Sequence, residues 1–194
     1  MGKVIVNMNL TLDGVMQAPT RPDEDPRGGF GYGGWATAYY DPVMDQAAME
    51  GIARASDLLF GRRTYEDFYS VWPGRRDNPF SEVLNNAQKY VASTTLNEPL
   101  PWMNSTLLKS NVAQAVAALK KQSSRDIAIL GSGELVQYLM LHNLIDEYVL
   151  SIYPLVLGKG RRLFPEDCTL AAFKLVDVKA SSTGVLITTY QPAS

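Results

Sequence analysis

The sequence contains few of the residues that build disulfide frameworks and zinc sites. Its 194 residues include one cysteine, Cys168, and one histidine, His142. A single cysteine cannot close an intramolecular disulfide, and the two residues together are too few for a cysteine–histidine zinc cluster. Histidine-assisted nucleophilic catalysis would have to use His142, which follows a leucine-rich segment and is interpreted as a helix-end residue. We therefore predict no metal site.

The sequence also lacks an excess of charge and a long apolar run. Its 18 Lys and Arg residues against 20 Asp and Glu give a formal net charge of −2, whereas proteins that bind nucleic acid through phosphates are usually basic. No apolar run approaches the roughly 20 residues of a membrane span, and the N-terminus has no signal-peptide pattern. These features predict a cytoplasmic protein with no nucleic-acid partner and no membrane partner.

The sequence does contain the alternation of short apolar segments and helical patterns that is typical of an α/β domain. Its length suits a single domain over 1–194. Strands are predicted at 4–10, 57–60, 89–93, 106–108 and 126–130, and helices at 42–55, 65–71, 80–86, 111–121 and 134–142. Later strands are predicted at 147–154, 173–178 and 185–191. This order predicts a mostly parallel central sheet flanked by helices, with an antiparallel C-terminal hairpin.

The turn after the second predicted strand has the composition of an anion site. Gly61 lets a ligand approach the backbone, and the N–H groups and dipole of a helix start favour a negative group. Arg62 and Arg63 add charge and forked donors that suit phosphate. Thr64 offers a hydroxyl, and with Asp67 it has the spacing of a capping box. The alternative interpretation is a capped helix with two solvated arginines.

A second strand–glycine–helix turn follows further along the chain, at Leu130-Gly131-Ser132-Gly133-Glu134. It is similar to a dinucleotide-binding turn, although Val136 stands where the full pattern has its third glycine. Ser93 and Thr94 follow another strand end, where their hydroxyls suit either a ribose phosphate or a simple turn. Because a dinucleotide carries several phosphates, two such turns in one sheet predict a dinucleotide site.

The segment 17–40 has no predicted helix or strand. It contains three prolines, five glycines between 28 and 34, and several aromatic residues that include Trp35 and Tyr40. A loop of this length is unusual in a compact domain and is often functional. It is interpreted either as a surface insertion or as a lid that places aromatic faces over a flat ligand.

Short segments along nearly the whole chain occur in the order of a known superfamily. They are Asn9-Leu10-Thr11-Leu12-Asp13-Gly14, Gly61-Arg62-Arg63-Thr64, Val91-Ala92-Ser93, Ile129-Leu130-Gly131-Ser132-Gly133-Glu134-Leu135, Leu144-Ile145-Asp146-Glu147-Tyr148, Pro154-Leu155-Val156-Leu157-Gly158-Lys159-Gly160 and Leu163-Phe164-Pro165. In order and spacing they resemble the dihydrofolate reductase superfamily, and within it the branch with the reductase domain of riboflavin biosynthesis, the RibD C-terminal domain type.

The resemblance implies a reductase that passes hydride from NADPH to a C=N or C=O bond of a small planar heterocycle, of pterin or ribosylaminopyrimidine type. It assigns cofactor binding to Met8, Asn9, Gly61, Arg62, Arg63, Thr64, Ser93, Thr94, Leu130, Gly131, Ser132, Gly133, Glu134 and Leu135. The arginines fit the additional phosphate that separates NADPH from NADH. The alternative is a nucleotide-binding protein of the same fold without reductase turnover.

The resemblance also implies a carboxylate beside the substrate. Counting back from Gly61 gives Asp45 as the proton donor, with Asp41 as its rival. Asp13 matches a residue that lies near the substrate in the riboflavin branch. Asp41 is alternatively only a helix cap before Pro42, and Asp45 is alternatively a solvated side chain.

Aromatic residues are predicted to wall the substrate pocket. Tyr65, Phe68, Tyr69 and Trp72 recur at helical spacing on a helix that the superfamily uses for this purpose, and Trp35 of the long loop is added to them. Core packing is the alternative for the helical stripe. A homodimer is expected by analogy with the riboflavin branch, with the C-terminal strands at the edge or interface.

Overall fold

The computed structural model describes residues 1–54, 57–122 and 124–193. Its strands are β1 Val4–Thr11, β2 Asp57–Gly61, β3 Gln88–Ala92, β4 Ser105–Leu108, β5 Ile127–Leu130, β6 Glu147–Tyr153, β7 Phe173–Ala180 and β8 Leu186–Pro192. Its α-helices are α1 Pro42–Arg54, α2 Arg62–Val71, α3 Phe80–Asn86, α4 Val112–Gln122 and α5 Gly133–Leu141. The predicted end of α1 at residue 55 lies outside the described residues.

The strands form one sheet in the order β4-β3-β2-β5-β1-β6-β8-β7. All neighbouring pairs from β4 to β6 are parallel. β8 pairs antiparallel with β6, and β7 pairs antiparallel with β8. The predicted fold class, a mostly parallel sheet with an antiparallel C-terminal hairpin, is confirmed.

The core lies on both faces of the sheet because the central strands are covered on both sides. On one face, Val6 of β1 and Ile129 of β5 pack with α4 and α5, which contribute Val116 and Leu139. On the other face, residues of β2 and β3 form a second cluster with α2, α3 and the loop before β4. Full burial of each large aliphatic side chain contributes roughly 1.5–3 kcal/mol. The two clusters hold the carboxyl ends of the parallel strands in fixed register.

The predicted start of the helix is confirmed for α1 but is wrong for α2. Asp41 caps α1, since its Oδ1 accepts a hydrogen bond from the Val43 N–H at 2.8 Å. The capping-box prediction for Thr64 and Asp67 is wrong, because α2 begins at Arg62 and its N-cap residue makes no side-chain cap. Asp67 instead pairs with Arg21 of the long loop. The Thr64 side chain bonds to Ser132 of a distant turn. Both side chains therefore contact other parts of the chain and not the backbone at the start of α2.

The segment 17–40 is folded onto the sheet and is not a loose surface insertion. Phe30 and Trp35 are buried in a third cluster with Tyr153 and Val185. The Gln17 side chain, which is 4% exposed, connects three stretches of backbone. Its Nε2 donates to the carbonyls of Asp25 and Arg27 at 3.0 and 2.9 Å. Its Oε1 accepts from the Arg161 N–H at 3.0 Å.

Candidate active site

A large cleft of about 1420 Å³ opens at the carboxyl ends of the parallel strands. Ligands in open α/β sheets bind on this side, where neighbouring strands end and the chain turns into helices. The long loop, α1, α2 and the start of α5 surround the cleft. Every residue predicted to bind the cofactor lines it: Met8, Asn9, Gly61, Arg62, Arg63, Thr64, Ser93, Thr94, Leu130, Gly131, Ser132, Gly133, Glu134 and Leu135.

The two glycine turns lie side by side because β2 and β5 are neighbours in the sheet. The Gly61 N–H donates to Ser132 Oγ at 3.0 Å, and the Ser132 N–H donates to Thr64 Oγ1 at 3.1 Å. The backbone of Ser132 is in the left-handed helical region, with φ 55°. Gly131 has φ 60°, and a Cβ there would lie 3.3 Å from Thr64 Cγ2. The starts of α2 and α5 therefore converge on one part of the cleft.

The start of α5 is covered by a residue that the sequence reasoning missed. A Cβ on Gly133 would lie 2.0 Å from the Cε of Met16, so the end of the Met16 side chain occupies the space beside this glycine. Glu134 is exposed and forms ion pairs with Arg161 and with Arg27, the latter at 3.6 Å. No local pattern identifies Met16 or Arg161, because both reach α5 from distant loops.

Two of the arginines that line the cleft stand at the start of α2. Arg62 and Arg63 are both exposed there and line the cleft. Across from them, Ser93 Oγ accepts hydrogen bonds from the N–H groups of Thr95 and Leu96, both at 3.1 Å. The Ser93 hydroxyl thus stabilises its own turn, while Thr94 is exposed at the cleft. The exposed arginines provide the charge and donors that a phosphate needs.

Of the three candidate carboxylates, Asp45 is the one that lines the cleft. It lies in the first turn of α1 and is exposed. The Tyr40 hydroxyl, at the end of the long loop, donates to Asp45 Oδ2 at 2.7 Å. This hydrogen bond and the carboxylate charge raise the pKa of Tyr40. Tyr40 and Asp45 therefore form a proton-bearing pair at the rim of the cleft.

Asp13 holds the backbone of a loop and does not line the cleft. Its carboxylate accepts hydrogen bonds from Thr11 Oγ1 at 2.5 Å, the Gly158 N–H at 2.8 Å and the Leu157 N–H at 3.2 Å. Partial burial tends to raise the pKa of Asp13, but these hydrogen bonds outweigh burial and lower it. Asp13 is thus placed to stabilise the folded loop rather than to transfer a proton.

Asp41 also has structural partners outside the cleft. Besides capping α1, its Oδ2 accepts from the N–H of Ser182 at 2.8 Å and from the hydroxyl of the same residue at 2.5 Å. Hydrogen bonds from Ser182 and from the Val43 N–H lower the pKa of Asp41. The residue ties the start of α1 to the turn between β7 and β8, in agreement with its interpretation as a helix cap.

The predicted aromatic wall divides into two groups. Phe68 and Trp72 line the cleft, and their contact with a substrate stays a prediction. Tyr65 is 1% exposed, and its hydroxyl accepts from the Trp102 N–H at 3.0 Å. Tyr69 stacks on Tyr65 outside the cleft. Tyr65 is therefore a core residue, in agreement with the alternative interpretation of the aromatic stripe as core packing.

Trp35 also lies outside the cleft lining and is 8% exposed. Its Nε1 donates to the Gln17 carbonyl at 2.7 Å. Its ring stands edge-on to Tyr153, with 5.1 Å between the ring centroids. The sequence could not distinguish this packing from a ligand contact, because a loop tryptophan has the same local pattern in both cases.

His142 follows the last residue of α5, as predicted, and its Nδ1 lies 2.8 Å from the Tyr138 carbonyl oxygen. In the described part of the chain, no group of three or more His, Cys, Asp or Glu side chains is placed to hold a metal ion. Among the same residues, no helix is long and apolar enough to cross a membrane.

Comparisons with known proteins agree with this architecture. The "Uncharacterized protein YyaP" of Bacillus subtilis (strain 168) is 27% identical over 193 residues, which cover 97% of this chain and 94% of that protein. A putative riboflavin biosynthesis protein from Shewanella sp. PV-4 superposes with a TM-score of 0.69 at 23% identity, over 99% of both chains. Dihydrofolate reductase from Enterococcus faecalis, in complex with NADP(H), superposes with a TM-score of 0.59 at 15% identity, over 100% of this chain and 98% of that one.

These superpositions show a dihydrofolate reductase-like fold, as the resemblance of the sequence implied. The model of the RibD C-terminal domain family matches residues 2–187. That match includes both glycine turns and the whole cleft lining. The chain belongs to the RibD C-terminal domain family.

Proposed function

We propose that the protein is an NADPH-dependent reductase that transfers hydride to a small planar heterocycle of the pterin or ribosylaminopyrimidine type. The observation that carries this proposal is the convergence of two strand–glycine–helix turns on one cleft. Ser132 joins the turns through its bonds with Gly61 and Thr64. Two helix starts that face one cavity favour a ligand with more than one phosphate.

The residues of the cleft fit a dinucleotide phosphate. Gly131 and Gly133 place no side chain of their own at the start of α5. The flexible Met16 side chain lies over Gly133 and turns aside when a pyrophosphate approaches the N–H groups of this helix start. Arg62 and Arg63 supply charge for a further phosphate. When bound, NADPH supplies the hydride. The relatives agree with this assignment, since the Enterococcus faecalis reductase of the same fold was solved with NADP(H).

The chain's own side chains orient the heterocycle and hold a proton. Phe68 and Trp72 offer flat apolar surfaces at one end of the cleft, where burial of a planar ring is favourable. Tyr40 holds its hydroxyl proton against Asp45 Oδ2, and both residues line the cleft. A positioned acid of this kind delivers a proton to the heteroatom next to the carbon that accepts hydride.

The proposal is tested by titrating the purified protein with NADPH and then adding dihydropterin and aminopyrimidine compounds while NADPH absorbance is followed. We expect saturable NADPH binding and oxidation that requires the heterocycle. NADPH binding without oxidation by any compound would favour the alternative of a nucleotide-binding protein without turnover. This alternative gains weight because Asp13 and Asp41 have structural partners, which leaves a single carboxylate for catalysis. Absence of NADPH binding would contradict the proposal.

A further inference from the structure

The wall of the cleft contains a buried phenol, Tyr153, at the end of β6. Tyr153 is the last residue of that strand, is 3% exposed and lines the cleft. Its register partner on β1 is Thr11, the last residue of its own strand. The phenol therefore lies at the carboxyl edge of the sheet, where ligands bind in open α/β folds.

Aromatic residues of the long loop hold the ring of Tyr153 in place. Trp35 and Tyr39 both stand edge-on to it, with 5.1 and 5.8 Å between the ring centroids. The three rings belong to one apolar cluster. Edge-to-face contacts are directional, and close packing leaves a buried ring little freedom to move. The cluster therefore fixes the position from which the hydroxyl acts.

The hydroxyl of Tyr153 makes no hydrogen bond within the described part of the chain. Four side-chain atoms of the described residues are sealed from solvent without a partner, and this hydroxyl is not one of them. A hydroxyl that is neither paired nor sealed meets open space, and the space that Tyr153 borders is the cleft. Because buried phenols ordinarily find a hydrogen-bond partner, a ligand in the cleft is the expected partner of this one.

Burial among apolar rings keeps this phenol protonated. It raises the pKa of Tyr153 to about 12, whereas an ordinary tyrosine titrates near 10. The hydroxyl is therefore neutral at physiological pH and always has a proton to donate. An efficient general acid has a pKa near the working pH, so Tyr153 is suited to donating a hydrogen bond and not to releasing its proton. Such a bond is stronger in the apolar surroundings than in water.

Tyr153 stands beside the proton-bearing pair described above. Tyr39 and Met44 pack in the same cluster as Tyr153. The residues that directly follow them, Tyr40 and Asp45, line the cleft. A ligand atom in this part of the cleft therefore has two kinds of polar group close by. One is a buried neutral donor in the wall, and the other is an exposed carboxylate with its bound hydroxyl at the rim.

We propose that the Tyr153 hydroxyl donates a hydrogen bond to the heteroatom of the C=N or C=O bond that is reduced. As hydride from NADPH forms the new C–H bond, the π bond breaks and its electron pair moves to the heteroatom. Tyr153 stabilises the negative charge that develops there and keeps its own proton. The proton that completes the reduction comes from the Tyr40–Asp45 pair, and NADP⁺ is the oxidised product. This assignment adds a catalytic residue to the reductase proposed above and rests on that function.

Naphthol tests this donor without any need for turnover. It is a flat two-ring phenol whose neutral and ionised forms differ in absorbance, and its oxyanion imitates the negative heteroatom. With saturating NADP⁺, we expect the ratio of ionised to neutral bound naphthol to be about tenfold or more higher in wild type than in Tyr153→Phe, the effect of one charge-assisted hydrogen bond. Tyr148→Phe is the matched control, because it removes an equally buried phenol of β6 that does not line the cleft. It is expected to keep the wild-type ratio.

Fluorotyrosine in place of Tyr153 provides a second variant in case Tyr153→Phe does not fold. Fluorine makes the phenol a stronger donor, so the ratio of ionised to neutral naphthol is expected to rise above that of wild type. In turnover, Tyr153→Phe is expected to lower kcat about 10²- to 10³-fold, the cost of losing one such donor. NADPH affinity is expected to stay unchanged, because the ring and its packing remain.

Equal ratios of ionised to neutral naphthol in wild type and in the folded Tyr153 variants would overturn the inference. Absence of naphthol binding by wild type, or an unchanged kcat in Tyr153→Phe, would overturn it as well. The naphthol titration is repeated without dinucleotide, and NADPH binding is measured separately on each protein. A ratio that depends on Tyr153 in a protein that does not bind NADPH would count against the reductase and not against the phenol donor.

Discussion

At the scale of single residues, the arginines at the start of α2 allow the sharpest test of cofactor choice. Arg62 is exposed at the cleft and precedes the first buried residue of α2. If it contacts the phosphate that NADPH has and NADH lacks, Arg62→Ala removes a charge-assisted bond worth roughly 1.5–3 kcal/mol. We expect NADPH affinity to fall by about tenfold or more, while NADH affinity changes little.

The control for this prediction is Arg76→Ala, which removes an exposed arginine that does not line the cleft. Calorimetric titration of both dinucleotides with both variants gives the comparison. Equal losses for NADPH and NADH in Arg62→Ala would place the additional phosphate elsewhere.

The carboxylate on α1 allows a separate test of proton transfer. Asp45→Asn keeps the shape of the side chain and its contact with the Tyr40 hydroxyl but removes the acid. Loss of a general acid typically costs about 10²- to 10⁴-fold in rate, so we expect kcat to fall within that range while NADPH affinity stays unchanged. Single-turnover kinetics and NADPH titration measure the two effects.

Glu50→Gln is the matched control, since Glu50 is an exposed carboxylate on the same helix that pairs with Gln46 and Lys179. It is expected to leave kcat unchanged. Undiminished turnover in Asp45→Asn would assign the proton to another group, with Tyr40 the first to examine.

At the scale of secondary-structure elements, strands and glycine turns were predictable because their signals are local. Hydrophobic runs identify β1, β2 and β5 without knowledge of their partners. The function of Thr64 was not predictable, because its partner Ser132 lies 68 residues away in the sequence. Two of the three hydrogen bonds that Asp13 accepts likewise come from residues 144 and 145 positions away.

The buried amide of Gln17 connects the backbone of the long loop, so its removal is expected to lower the local stability of that loop. Gln17→Leu keeps most of the side-chain volume but removes the amide that bonds to the Asp25 carbonyl, the Arg27 carbonyl and the Arg161 N–H. The Arg27 carbonyl keeps a longer bond from the Phe30 N–H, at 3.4 Å, whereas the other two groups lose this partner. Each buried group left unpaired costs about 1–3 kcal/mol. We expect faster hydrogen exchange and faster tryptic cleavage within 17–40.

Gln46→Leu is the control for the loop, since Gln46 is exposed on α1 and, within the described part of the chain, its side chain bonds only to Glu50. It is expected to leave exchange in the loop unchanged. Wild-type exchange rates throughout 17–40 in Gln17→Leu would show that the aromatic cluster alone fixes the loop.

At the scale of the whole molecule, two buried phenols lower the stability of the fold at alkaline pH. Burial raises the pKa of Tyr148 and of Tyr153 to about 12, whereas an unfolded tyrosine titrates near 10. Between these values the unfolded chain has lost protons that the folded chain keeps, so stability falls as pH rises. Each phenol contributes a loss of about 2–3 kcal/mol across that range.

Denaturant titrations at a series of alkaline pH values measure this effect. Tyr148→Phe is expected to reduce the alkaline loss by about 2–3 kcal/mol, the contribution of one phenol, and Tyr138→Phe, at an exposed position, is expected to leave it unchanged. A Tyr148→Phe profile parallel to that of wild type would show that this phenol titrates normally.

The predicted homodimer has a physical basis in the C-terminal hairpin. Leu175, Val178 and Leu186 are 49%, 49% and 42% exposed. The register of β6, β8 and β7 places Val178 and Leu186 on one face, with Ile152 beside Leu186. An exposed apolar face of this kind next to an edge strand is typical of an interaction surface. We propose that a second copy covers it, because most soluble oligomers are symmetric homo-oligomers.

Light scattering after size exclusion tests the dimer directly. We expect the wild-type mass to be twice the 21.4 kDa of the chain. Val178→Lys is expected to give monomers, since burying an unpaired ammonium in an apolar interface costs several kcal/mol. Val43→Lys, at a valine of similar exposure on α1, is expected to remain dimeric. A wild-type protein that is monomeric at every concentration would leave the hairpin face open to solvent and contradict the dimer. Dissociation by Val43→Lys but not by Val178→Lys would move the interface to α1, beside the cleft.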